Sequence, residues 1–279
     1  MTIEPFREVD IADFLMMAAA EGWVAEPWEI AFLLRVFPEG CFCVRGRYGK
    51  GIAFVTGLRH EKSGWVGNLI VAEGFRGKGL GEALFRKALE ALHAAGAGTF
   101  WLTASDSGKS LYEKYGFNSL DTVIRWSGTG RRRHAGHTEL AELTELTELT
   151  ASTSVSDIDC QAWGDRRDAL LAATAGRGRL VLGEPGFLVI QPCGAAMQLG
   201  PFSAQDYGSA EYLCDAALGS LSRETRVYID APLSNRPAVR LFSRRGMRVT
   251  GSTELMYAGR KPDYRSEMLF GLATMGSCG

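Results

Sequence analysis

The sequence predicts an α/β protein made of two tandem units, each a mixed, mostly antiparallel sheet flanked by helices in the α+β manner. Three observations lead there. The 279 residues exceed one typical domain, for which about 150 residues is the working prior. Strand-like hairpins alternate with stretches of helical periodicity in both halves. Residues 111–117 (LYEKYGF) also realign on residues 241–247 (LFSRRGM), the mark of a duplication.

Taken in order, residues 3–8 read as a strand, Asp10 caps an apolar helix, and Pro27 opens a second helix running to Phe37. Runs at 41–46, 51–59 and 65–72 follow as strands separated by Gly-containing turns. Beyond a glycine-rich turn, Leu80, Leu84, Ala88, Ala91, Leu92 and Ala95 repeat at helical spacing until Gly96. A strand at 99–103, a helix at 107–115 stopped by Gly116, and a strand at 117–126 complete the first half. The three-residue Glu-Leu-Thr repeat after Arg131 drifts around a helix and makes no continuous stripe. It is expected to be linker. The second half reads as a helix at 163–175, strands at 179–182, 187–191 and 197–199, and a helix at 204–217. A strand at 226–230, a helix at 237–245 and a strand at 248–258 finish it. The expected boundaries are 1–127, linker 128–154, and 155–279.

Composition excludes several classes. With 46% hydrophobic and 23% charged residues and a net charge of −1, the chain has neither a membrane protein's composition nor a basic field for nucleic acid. No nucleic acid or membrane partner is expected, and the acidic start (Glu4, Glu8, Asp10) lacks a signal peptide's basic region. A cytoplasmic protein is the expectation. The six cysteines form no CxxC pair and no metal-ligand spacing, so they are expected to be reduced, mostly buried thiols with no metal.

The strongest chemical signal lies at residues 68–82, NLIVAEGFRGKGLGE. An apolar strand enters a loop carrying Arg76, Gly77, Lys78, Gly79 and Gly81, and the loop enters a helix at once. Glycines let backbone N–H groups approach a phosphate, the helix start adds its positive dipole end, and two cations add charge. A dinucleotide fold needs GxGxxG within parallel βαβ units, and a P-loop ends in GK[ST]. Neither fits.

Strand, (Q/R)xxGx(G/A) loop, helix, strand and a short helix ending in LYxKxGF resemble the GNAT acetyltransferase domain, and the resemblance covers residues 3–126. It implies acetyl-CoA as co-substrate, with Leu69, Ile70 and Val71 pairing through their backbone with the pantetheine arm. It further implies that Arg76, Gly77, Lys78, Gly79, Leu80, Gly81 and Glu82 hold the pyrophosphate, and that strands 65–72 and 99–103 splay to admit the arm. The family's Asn-x-x-Ala-x-x-Leu-Tyr motif occurs here as Ser105 through Tyr112, with Ser105 in the place of the pantetheine-binding Asn. Tyr112 stands where the family protonates the departing thiolate.

The second half resembles the C-terminal domain of tandem GNAT proteins. Residues 199–206 (LGPFSAQD) replace the phosphate loop, Phe242 replaces the tyrosine, and Asn235 with Ala238 keeps the Asn-x-x-Ala spacing. A scaffold without cofactor chemistry is expected, bordering the acceptor pocket or serving a homodimer surface. The implied function is N-acetyl transfer to a small-molecule or peptide amine by direct attack; an acyl-CoA-binding or sensing protein is the alternative. Glu21, Glu26, His60, Glu61 and Glu73 are the candidate proton acceptors, and Trp23 and Trp28 candidate pocket walls.

Overall fold

The computed structural model describes residues 2–131 and 153–279; the Glu-Leu-Thr repeat of the expected linker lies outside them. The elements in order are β1 (Ile3–Pro5), α1 (Ile11–Ala20), α2 (Pro27–Val36), β2 (Phe42–Arg45), β3 (Gly51–Arg59), β4 (Ser63–Val71), α3 (Leu80–Ala94), β5 (Thr99–Ala104), α4 (Asp106–Lys114) and β6 (Asn118–Thr129). There follow α5 (Thr153–Trp163), α6 (Asp168–Ala175), β7 (Arg179–Gly183), β8 (Gly186–Cys193), β9 (Ala196–Ala204), α7 (Tyr207–Ser220), β10 (Arg226–Pro232), α8 (Arg236–Arg244), β11 (Arg248–Gly259) and β12 (Leu269–Gly271). Among the described residues no helix is long and apolar enough to cross a membrane.

The chain divides into two compact units. One comprises Met1–Asn118, Met256–Lys261 and Gly276–Gly279; the other comprises Ser119–Leu255 and Pro262–Met275. Each therefore takes strand from both halves of the sequence. β6 runs on through Thr129, into the stretch where the linker is expected, and pairs with β10 over its last seven residues.

In the first unit β1 to β4 form an antiparallel meander. β5 lies parallel to β4, and the end of β11 lies on the far side of β5. Alternation along the strands sends one set of side chains toward α3, whose Leu84, Phe85, Ala88 and Leu92 pack with Val55, Val66, Leu102 and Ala104. The opposite face holds a ring cluster in which Phe54 lies 4.7 Å from Phe6 and 5.7 Å from Phe14. Cys41 and Cys43 are buried here, and burial pushes their thiols up to about 12 and about 11, which makes them packing groups rather than nucleophiles.

In the second unit the sheet order is β7-β8-β9-β10-β6, with the start of β11 beside β6. α7 and α8 cover it through Leu213, Cys214, Leu241 and Phe242. The helix expected over 163–175 is shorter, α6 starting only at Asp168, and α5, which ends at Trp163, was not expected. Gly164 between them adopts φ +85°, and a Cβ there would come 2.5 Å from the Asp263 carbonyl oxygen, so only glycine permits this turn. Arg167, beyond the turn, is fully buried, bonds Asp159 at 2.9 and 2.7 Å, and lies 4.3 Å over the Trp163 ring.

The residues of β11 that complete the first unit generate a prediction. The Arg260 N–H bonds the Gly98 carbonyl at 2.8 Å, Thr99 bonds the Arg260 carbonyl at 2.8 Å, and Met256 and Ala258 join the α3 core. Each buried apolar side chain contributes on the order of 1.5–3 kcal/mol, a large part of a domain's roughly 5–15 kcal/mol. A chain cut after Ser127 is therefore expected to melt without the cooperative transition of the full chain in differential scanning calorimetry.

Candidate active site

The site starts from a flaw in β4. Its register with β3 runs Phe54 to Ile70 and then Thr56 to Gly67, so Asn68 and Leu69 together oppose Val55. This is a β-bulge. Asn68 takes φ +56°, a left-handed conformation that asparagine tolerates better than most residues, and its amide donates to Thr56 Oγ1 at 3.0 Å. The bulge turns β4 aside. Pairing with β5 holds only for Ser63, Gly64 and Trp65 against Thr99, Phe100 and Trp101. Beyond them the strands separate, and on its β5 side the stretch from Leu69 to Val71 has no strand partner among the described residues. Its backbone groups face an opening.

At the end of this opening stands the glycine loop. Gly77 and Gly79 adopt φ +73° and +76°, and a Cβ added at either would meet no atom within 4 Å. Conformation and an open face, rather than crowding within the protein, explain these two glycines. α3 begins at Gly79 with no side-chain cap, and the N–H groups of residues 80–82 precede its first bond, Ala83 N–H to the Gly79 carbonyl at 3.0 Å. Uncapped donors at the positive end of a helix suit an anion. Arg76 is tied to the Val71 carbonyl at 2.9 Å and ion-paired with Glu21; Lys78 donates to the Gly74 carbonyl at 2.9 Å and lies 5.1 Å over the Phe75 ring. Both cations are thus held beside the loop. Glu82 accepts from the Tyr115 hydroxyl at 3.1 Å, and Leu80 packs on the α3 core.

Tyr112 on α4 is partly buried against Phe85 at 4.9 Å and Phe117 at 6.3 Å. Burial pushes its hydroxyl up to about 12, so it keeps its proton throughout the neutral range. Ser105 is exposed at the start of the same helix, its hydroxyl 3.1 Å from that of Ser107. Of the candidate proton acceptors, Glu21 is engaged by Arg76 and Glu26 accepts from Trp28 Nε1 at 2.9 Å. Glu61 and Glu73 are exposed, and His60 is buried at the turn before β4.

The corresponding places in the second unit are filled by the chain itself. β9 and β10 pair in parallel only at Met197 to Val227 and Gln198 to Tyr228. Into the gap comes β12, where Leu269 and Gly271 pair with Ser203 and Phe202 of β9 and the Leu272 N–H reaches the Asp230 carbonyl of β10 at 2.8 Å. Asn235 donates to the Leu269 carbonyl at 2.9 Å and accepts from the Ala238 N–H at 3.0 Å. The start of α7 is capped by Asp206, which accepts from the Ser209 N–H at 2.9 Å. That backbone bond holds the Asp206 carboxyl below its ordinary value. A strand thus lies where the first unit is open, and a carboxylate where the first unit's helix is uncapped. Neither Asn68 as the bulge residue nor β12 was expected from the sequence; the asparagine inside an apolar run was the available signal for the first.

Two family models match, each described as an acetyltransferase (GNAT) domain, over residues 38–119 and 155–271. The chain belongs to the GNAT acetyltransferase family. It is a tandem member and, by that membership, an acyltransferase. No curated protein matches it in sequence. Among solved structures it is similar to a Pyrococcus horikoshii protein named for acetyltransferase resemblance, at 23% identity and a TM-score of 0.81 over 99% of this chain and 95% of that one. A GCN5-related N-acetyltransferase of Sphaerobacter thermophilus follows at 19% identity and a TM-score of 0.62 over 98% of each chain. A tandem GNAT protein from the clavulanic acid biosynthesis pathway follows at 14% identity and a TM-score of 0.60 over 94% and 99%. These likenesses show the tandem GNAT fold.

The loop geometry separates two substitutions at Gly81. A Cβ there would lie 3.5 Å from the Val71 side chain, an ordinary contact, and alanine raises helix propensity by about 1 kcal/mol. Gly81→Ala is expected to keep CoA binding and to raise the melting temperature slightly, whereas Gly81→Val crowds the N–H donors and abolishes the heat of CoA binding in titration calorimetry. Equal affinity in both variants would take the phosphate away from this loop.

Proposed function

We propose that the chain transfers the acetyl group of acetyl-CoA to an amine, in a ternary complex, at the first unit. One observation carries the reading: the strand opening and the uncapped glycine loop are free in the first unit, while both places are taken by β12 and Asp206 in the second. CoA fits the free pair. Its diphosphate takes the N–H donors of residues 77–82, and its arm takes the backbone edge from Leu69 to Val71, as strands do in a sheet. Each chain then binds one CoA.

The amine nitrogen attacks the thioester carbonyl carbon, the C–S bond breaks, and the sulfur leaves as a thiolate that takes a proton from the Tyr112 hydroxyl. The nitrogen releases its surplus proton to solvent, and the tyrosine regains one from there. Products are an amide and free CoA, and protons balance. With its hydroxyl near 12, Tyr112 is protonated when the thiolate departs, as a general acid must be. The amine is the group that titrates: free alkyl amines are only about one part in a thousand neutral at pH 7.

Tyr112→Phe is expected to lower kcat by roughly 10²-fold to 10⁴-fold with CoA affinity unchanged, measured by CoA thiol release against a panel of primary amines. In the parent protein the rate should climb with pH as the acceptor deprotonates, with no loss from Tyr112 below about pH 10 because its hydroxyl titrates only near 12. CoA bound without turnover on any amine would make the chain an acyl-CoA sensor. Two CoA molecules per chain would refute the assignment of the second unit.

A further inference from the structure

The opening between β4 and β5 has a far end. Past Trp65 and Trp101, the last paired residues, the strands continue with Gly67 and Thr103, which by alternation share the face of those two tryptophans. If the diphosphate of CoA lies at residues 77–82 and its arm runs back along Leu69 to Val71, the sulfur and its acyl group point at Gly67 and Thr103. At this end the first unit takes in a segment from far along the chain, Gly276–Gly279.

Two independent contacts fix the segment there. Thr103 Oγ1 donates to the Gly276 carbonyl at 3.2 Å. The Ser277 carbonyl stands over Gly67 so closely that a Cβ on Gly67 would lie 2.3 Å from its oxygen. That position therefore needs glycine for close backbone approach, with no positive φ to explain it. Beneath this cover Trp65 and Trp101 are almost completely buried, and Cys278 is fully buried. The contrast with the second unit is in depth: β12 covers Phe202 and Ser203, beyond the irregularity of β9, whereas the 276–279 segment meets β4 before its bulge and leaves Leu69 to Val71 uncovered.

Resting on the acetyl-transfer reading, we propose that residues 276–278 form the end wall of the acyl chamber and restrict the donor to short acyl groups. A two-carbon acyl group ends at the wall; a long aliphatic one has to push Ser277 off Gly67.

The test titrates acetyl-CoA and octanoyl-CoA by calorimetry into the full chain and into its Gly67→Ala and Thr103→Val variants, with alkylation of Cys278 by iodoacetamide reporting whether the segment has left its place. The parent is expected to bind octanoyl-CoA at least about 10-fold more weakly than acetyl-CoA, since chamber size discriminates by about that factor. Gly67→Ala should speed Cys278 alkylation and bring the two affinities together; Thr103→Val should act in the same direction, less strongly. Octanoyl-CoA bound as tightly as acetyl-CoA by the parent overturns the proposal. So does an unchanged affinity ratio once Cys278 has become reactive, and so does a Cys278 that stays unreactive in both variants. If neither thioester binds the parent, the acetyl-transfer reading itself fails, and the two failures are told apart.

Discussion

Two parallel strands that begin paired and are then forced apart set everything else about the first unit. The force is local. Asn68 holds a left-handed backbone conformation inside an apolar strand, and the cost is met by its amide bond to Thr56 and by burial of Val66 and Ile70. An extra residue in a strand bends it and increases its twist, so β4 leaves β5 after Trp65. Unpaired strand edges normally invite another strand. Here the edge ends at an uncapped helix start, so the occupant it suits is extended along its length and anionic at one end. Neither property alone would favour CoA over other ligands; on the proposed reading, their order along one strand and loop does.

The second unit shows the same physics with the opposite outcome. Its opening is closed by β12, which supplies the missing strand, and by the Asp206 carboxylate, which supplies the missing anion at α7. Asn235 is the instructive residue. Its spacing to Ala238 matches the family motif, yet its amide bonds the Leu269 carbonyl of β12, so the side chain that would grip a pantetheine grips the chain's own backbone. There it satisfies a buried backbone carbonyl, which needs a donor.

The extent to which this was legible in the sequence follows the range of the interactions. Local signals carried well: the helical repeat from Leu80 became α3, the glycines at 77 and 79 became left-handed turns, and Pro27 and Gly116 lie at helix boundaries, whereas Asp10 stands before α1 with its carboxylate held by Arg45 and the Arg7 N–H rather than capping the helix. Signals depending on distant partners did not. The late start of the helix expected from 163, now α6 from Asp168, follows a turn at Gly164 that Asp263 crowds, nearly a hundred residues away. β12 is three residues long and has no periodicity to read. The commitment of Glu21 to Arg76 joins the end of α1 to the glycine loop, and no spacing rule connects positions so far apart.

The exchange of strands explains why the tandem arrangement is more than two copies of one fold. The end of β11, far along the chain, covers β5, so the strand that bounds the cleft in the first unit is completed by the half of the sequence without a free cleft of its own. Residues 262–279 go further, supplying first the β12 strand of the second unit and then the cover over Gly67 in the first. The first unit's sheet is incomplete without strand from the second half, whose own opening is filled by β12. The strand that closes the second unit's opening and the cover over Gly67 in the first thus come from one stretch of chain, 269–279.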